Sequence, residues 1–155
     1  MERKTHINAE DGKQELFITR EFDLPVKLLF LAYTEARLLE QWMGNKVLKL
    51  ENRKHGSYQF ETSDQQGNVI FRANGTIHTF IPEQTIVRTF EMENTPFPVQ
   101  LEYLNFEALD TESSKLTIHV IYKSVAERDM ILQMPFAWGI NRAHNQLQKI
   151  MNIKK

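Results

Sequence analysis

Between residues 46 and 123 the chain alternates turn-formers with β-formers and contains no stretch suited to an amphipathic helix. That long β block restricts the fold more than any other feature. Strands are predicted near 46–51, 56–62, 69–80, 85–92, 99–109 and 115–123, separated by "RKHG", "SDQQGN", "IPEQ", "ENTPFP" and "DTESS". Links this short join antiparallel neighbours, because a parallel pair needs a crossover of a dozen or more residues. One more strand precedes the block: in "QELFITREF", residues 14–22, Leu16, Ile18 and Phe22 fall on even positions. The sum is an antiparallel meander of about seven strands.

Helical spacing flanks the block on both sides. After the first strand, Pro25 suits the first position of a helix, and Val26, Leu29, Phe30 and Tyr33 recur on one face. Thr34 is predicted to cap a second short helix whose face carries Leu38, Leu39 and Trp42 and which Gly44 ends. Ser124 is a cap for "VAERDMILQM", and Pro135 opens a long final helix with Phe136, Ile140, Ala143, Leu147, Ile150 and Met151 on one stripe. This stripe must be covered, and only the sheet offers enough apolar surface. The sheet therefore curls around the helix, an α+β helix-grip with the C-terminal helix in the concave face. Gly139 inside that helix implies close approach to another element, since an interior Gly is otherwise unfavourable.

Residues 1–13 lack apolar periodicity and are predicted to be a flexible lead-in, leaving 14–155 as one domain. A chain of 155 residues buries about 70% of its unfolded surface, enough for one core.

Composition removes several function classes. The 19 Lys and Arg against 20 Asp and Glu leave a net charge of -1, without the basic field that draws in nucleic acid. No cysteine is present, so disulfides, thiolate metal sites and a thiol nucleophile are excluded and a reducing compartment fits. No apolar run approaches the ~20 residues that span a bilayer, and the N-terminus is polar, so membrane insertion is not expected and a cytoplasmic location is. His6, His55, His78, His119 and His144 are scattered, with no metal-ligand spacing, so no metal and no cofactor is expected. Glu61, Asp64, Glu91, Glu93 and Glu102 read as strand ends or a solvated face rather than a convergent acid–base pair. The serines lack a nucleophile elbow and the glycines form no phosphate loop. No catalytic constellation emerges.

The stretches "ITREFDLPVKLLFLAYTEARLLEQWMG", "HGSYQF", "GNVIFRANGTIHTFIPEQTIVRTFE" and "AERDMILQMPFAWGINRAHNQLQKIM" resemble, in order and spacing, the START-like SRPBCC superfamily. Within it they are most similar to domains related to the C-terminal part of the activator of the heat-shock protein 90 ATPase. The resemblance covers nearly the whole chain after residue 14. One departure is Met43, where the family often carries a second tryptophan; methionine adapts to irregular space, so the change bears on pocket shape.

The resemblance implies an internal apolar cavity between the curled sheet and the final helix, opening near the helix pair. Trp42 and Met43 then roof one end, and Phe60, Phe71, Phe90, Phe106, Ile140 and Leu147 wall it. Such rings suit a solid core and a cavity wall alike. His144 borders the helix stripe and is the candidate polar contact, with Arg72 as a candidate for an anionic group; Arg88 reads as an exposed or cross-strand residue. The expected function is non-catalytic binding of a small hydrophobic molecule, lipid-like or aromatic. The resemblance leaves two alternatives: an accessory module with a chaperone partner, and an enzyme like the cyclases or hydratases of the superfold. The activator carries an additional N-terminal domain, and only about thirteen residues precede the first predicted strand here, which ranks the chaperone role second.

Overall fold

The computed structural model describes residues 3–155. Eight strands form one antiparallel sheet: β1 (His6–Asn8), β2 (Glu15–Phe22), β3 (Lys46–Leu50), β4 (Ser57–Ser63), β5 (Val69–Ile81), β6 (Thr85–Met92), β7 (Gln100–Ala108) and β8 (Ser114–Ile121). Their order is β1-β2-β8-β7-β6-β5-β4-β3. Strands β3 to β8 are a simple meander, as the short links require, and β8 returns beside β2. The helices α1 (Val26–Thr34) and α2 (Ala36–Met43) carry the chain from β2 to β3 at the opposite edge, and α3 (Val125–Gln133) and α4 (Phe136–Asn152) follow β8.

Register breaks lie between Val47 and Lys49, Thr62 and Ser63, and Ile77 and Thr79, all in the β3–β5 half. An extra residue on one strand bends and twists it, so these breaks curl that half of the sheet toward α4. Close approach of backbone occurs at Gly75, where a Cβ would collide with the Thr89 carbonyl and the Tyr58 ring. The glycine lets β5 pass beneath a large buried side chain.

Several local expectations change. The residues predicted as a flexible lead-in include β1, which pairs with β2 through His6↔Thr19 and Asn8↔Phe17; residues 1 and 2 of that segment lie outside the described residues. An edge strand of three residues with a single apolar member, Ile7, is too short to show alternation, so pattern reading passes over it. Pro25 and Pro135 each sit one residue before the first helical turn. Thr34 ends α1 instead of capping α2, its Oγ1 donating to the Phe30 carbonyl at 2.8 Å. Ser124 does cap α3, accepting from the Glu127 N–H, and Gly44 (φ 70°) closes α2. Gly139 does not mark a close approach: open space surrounds the position of its missing Cβ.

The solid part of the core lies where α1, α2 and the C-terminal half of α4 meet β2, β7 and β8. Leu16, Phe22, Leu24, Leu29, Leu104, Leu147 and Met151 are wholly buried there, and Phe30 packs edge-on against Phe106 at 5.0 Å.

Candidate functional site

Toward the other end of α4 the helix and the sheet part. A cavity of about 290 Å³ opens between Phe136, Ile140 and Ala143 on the helix and Phe60, Phe90, Ile118 and Val120 on the sheet. A second space of about 280 Å³ adjoins it beneath α3, walled by Met92, Ile131 and Met134; Phe90, Gln100, Tyr122 and Phe136 line both. A recess of about 370 Å³ on the outer rim is instead bounded by polar and charged side chains, among them Arg3, Lys4, Arg20 and Lys115.

The corner formed by Trp42 and Met43 divides its labour. Trp42 is buried, its Nε1–H donating to the Ala32 carbonyl at 2.8 Å and its ring resting on Tyr33, while Met43 stays 40% exposed at the rim. Six of the candidate residues come together around the cavity: Trp42, Met43, Phe60, Phe90, Ile140 and His144. Four do not. Phe106 and Leu147 belong to the solid core, and Phe71 lies far along β5, outside the cavity lining. Arg72 points to solvent and pairs with Glu61 at 3.0 Å, so it is no anion site within the groove. The Phe71 and Arg72 assignments fail because strand alternation gives the face but not the distance along the strand.

His144 is wholly buried, with both ring nitrogens engaged: Nδ1 lies 2.8 Å from Thr5 Oγ1 and Nε2 lies 2.9 Å from the Tyr33 hydroxyl. Burial, and secondarily the Arg20 cation, push its pKa down to about 3, so the ring is neutral. Arg20 donates to Thr5 Oγ1 at 3.3 Å and to Asn145 on α4 at 2.9 Å. The imidazole and the two hydroxyls form one hydrogen-bonded chain from Thr5 to Tyr33. Tyr33 itself lines the cavity. His144 thus ties Tyr33 to Thr5, which lies in the segment read as a loose leader. Burial also raises the Tyr33 pKa far above its ordinary value, keeping the hydroxyl protonated.

The polar cluster within the cavity went unread in the sequence. Arg88 and Glu102 are cross-strand partners, with Nε donating to Oε1 at 2.9 Å; Gln100 Nε2 donates to the other carboxylate oxygen at 2.7 Å. The guanidinium lies over the Tyr58 ring, 5.0 Å from its centroid. Arg88, read as an exposed or cross-strand residue, is the cross-strand partner of Glu102, whereas reading Glu102 as a solvated face gave too little weight to parity. Arg88 shares a strand face with Ile86 and Phe90, and Glu102 with Leu104 and Phe106, so the inward direction was present in the period of two. His119, by contrast, stacks on Phe17 at 4.3 Å and meets Glu15 away from the cavity.

This helix-over-curved-sheet geometry is matched by known sequences and structures. Residues 23–152 match the family described as "Activator of Hsp90 ATPase homolog 1-like protein". The chain belongs to this family. It is thus a START-like, SRPBCC-type member, and its fold is one that serves broadly as a ligand-binding or accessory domain. Protein Ms6760 from Mycobacterium smegmatis is 21% identical over 96% of both chains, with a TM-score of 0.84. A Rhodobacter sphaeroides protein superimposes with a TM-score of 0.86 at 18% identity, over 97% of this chain and 99% of the other. One from Staphylococcus epidermidis gives 0.79 at 23% identity over 94% of each. At such identities the likeness is one of fold. A comparison with curated proteins finds no match. In this family member the corner residue Met43 leaves the rim of the cavity pliable. Among the described residues no helix is long and apolar enough to cross a membrane.

Proposed function

We propose that the protein binds one small, largely apolar molecule between α4 and the sheet and releases it chemically unchanged. The observation that carries this reading is the apolar cavity with a few inward polar groups, in a molecule whose other half is packed solid. A cavity of ~150 Å³ accommodates benzene, so about 290 Å³ suits two fused rings or a short acyl chain, with the adjoining space for an extension. Cavity groups suited to proton transfer are already committed. Both Glu102 oxygens accept hydrogen bonds from neighbours, and His144 is neutral with both nitrogens bonded. That supports binding over catalysis.

Native mass spectrometry of freshly purified protein, with a thermal-shift screen of acyl and aromatic compounds, tests the reading. A true ligand at 100 times its dissociation constant stabilises the fold by about 2.7 kcal/mol. The reading fails if no compound is retained and none shifts the transition. A second reading, an accessory module for a chaperone ATPase, draws support from the exposed Met130, Met134 and Trp138 around the α3–α4 junction. ATPase stimulation by the purified protein, abolished by Trp138→Ser, would favour it.

A further inference from the structure

The polar cluster narrows the class of ligand, granted that the cavity binds one. Among the described residues only two side chains lining the cavity carry a charge, Arg88 and Glu102, and they are already paired; His144 is neutral. What remains open toward the cavity is a set of hydrogen-bond donors. Arg88 uses Nε for Glu102, and among the described residues its two terminal amino groups have no hydrogen-bond partner. Stacking on Tyr58 and the bond to Glu102 fix the plane of the guanidinium, so these donors are held in place before anything binds. The Tyr33 hydroxyl, held by His144 Nε2 at 2.9 Å, lines the same cavity.

We infer that the head group recognised here is a neutral hydrogen-bond acceptor, a ketone or amide carbonyl on an apolar body, and not a carboxylate. A carbonyl oxygen takes hydrogen bonds from the cationic Arg88 and leaves the cavity's charge balanced. A carboxylate brings a second anion beside Glu102 with no second cation to offset it, and burying that excess charge is heavily unfavourable. A plain hydrocarbon leaves the donors without an acceptor in a site that excludes water.

Three probes of matched shape separate these cases: 2-acetylnaphthalene, 2-naphthoate and 2-ethylnaphthalene, measured by equilibrium dialysis at pH 7. The ketone is expected to bind about tenfold or more tightly than the other two, the worth of one hydrogen bond to a charged donor. Glu102→Gln keeps the shape but leaves Arg88 unbalanced, and the preference is expected to turn to naphthoate. Arg88→Met combined with Glu102→Gln is expected to bind ketone and hydrocarbon alike. The inference is overturned if naphthoate equals or exceeds the ketone on the unaltered protein, a ranking that needs no variant to fold. It is also overturned if all three bind equally, in which case the ligand-binding reading stands. Binding of none of the three overturns the inference as well, and the screen of acyl and aromatic compounds then decides the ligand-binding reading.

Discussion

The two halves of α4 face the same sheet with similar side chains and end in different states. Toward the C-terminus, Leu147 and Met151 are wholly buried against β2, β8 and the α1–α2 pair, and His144 is locked by Thr5 and Tyr33. Toward the N-terminus, Phe136, Ile140 and Ala143 look onto a cavity, because the helix pair does not fill the space under the part of the sheet that the register breaks curl. Hydrophobicity alone does not distinguish a core from a pocket. What distinguishes them is whether a second layer arrives to fill the curve, and here α1 and α2 fill only one end.

Truncation at the two ends should therefore differ. Leu147→Ala is expected to cost about 2–5 kcal/mol, since it opens a void in close-packed surroundings. Ile140→Ala enlarges a space that already exists and should cost under about 1.5 kcal/mol. Equal losses in chemical denaturation would erase the distinction. A methyl group at Gly75 tests the curled half: Gly75→Ala forces β5 away from Thr89 and Tyr58 and is expected to lose about 1–3 kcal/mol in the same assay.

The locked half should also report on pH. His144 binds its proton only near pH 3 in the folded chain, against about 6.5 for the unfolded one. Below pH 6.5 the unfolded state takes up the extra proton, so stability falls as pH drops from 6.5 toward 3 and is unaffected by this group above 6.5. The contribution approaches about 1.4 kcal/mol per pH unit. Comparing denaturation midpoints at pH 6.5 and 5 for the unaltered chain and His144→Gln isolates it; identical slopes would mean that the ring is not held neutral. The smallest effect belongs to the open half. Gly139→Ala, in free space on α4, is expected to stabilise by up to about 1 kcal/mol, and a lower melting temperature would restore the close-approach reading.

The fold was largely legible because its signals are local and repeated. Leu16, Ile18 and Phe22 alternate on β2, the turns between β3 and β8 are short, and α4 carries its stripe from Phe136 to Met151. The site was legible only in part. Trp42, Phe60, Phe90 and Ile140 follow from period and face, but Phe106 and Leu147 obey the same rules and lie in the solid half. Arg88 and Glu102 were hidden by the ordinary preference of charges for water, although their parity placed them inward. Thr5 could not be found from pattern at all, since its role depends on an edge strand of three residues meeting a helix more than a hundred positions away.

The two tryptophans offer the most direct test of a ligand cavity at the open end of α4. Trp42 lies inside with its indole N–H on the Ala32 carbonyl, and Trp138 is 66% exposed on the outer face of the same helix. In a two-dimensional nitrogen–proton spectrum each gives one indole signal, so a titration with 2-acetylnaphthalene reads both positions at once. A cavity site requires the Trp42 signal to shift saturably with one equivalent bound while Trp138 stays in place. Movement of Trp138 with Trp42 unchanged would put the compound on the protein's outer surface and contradict the account.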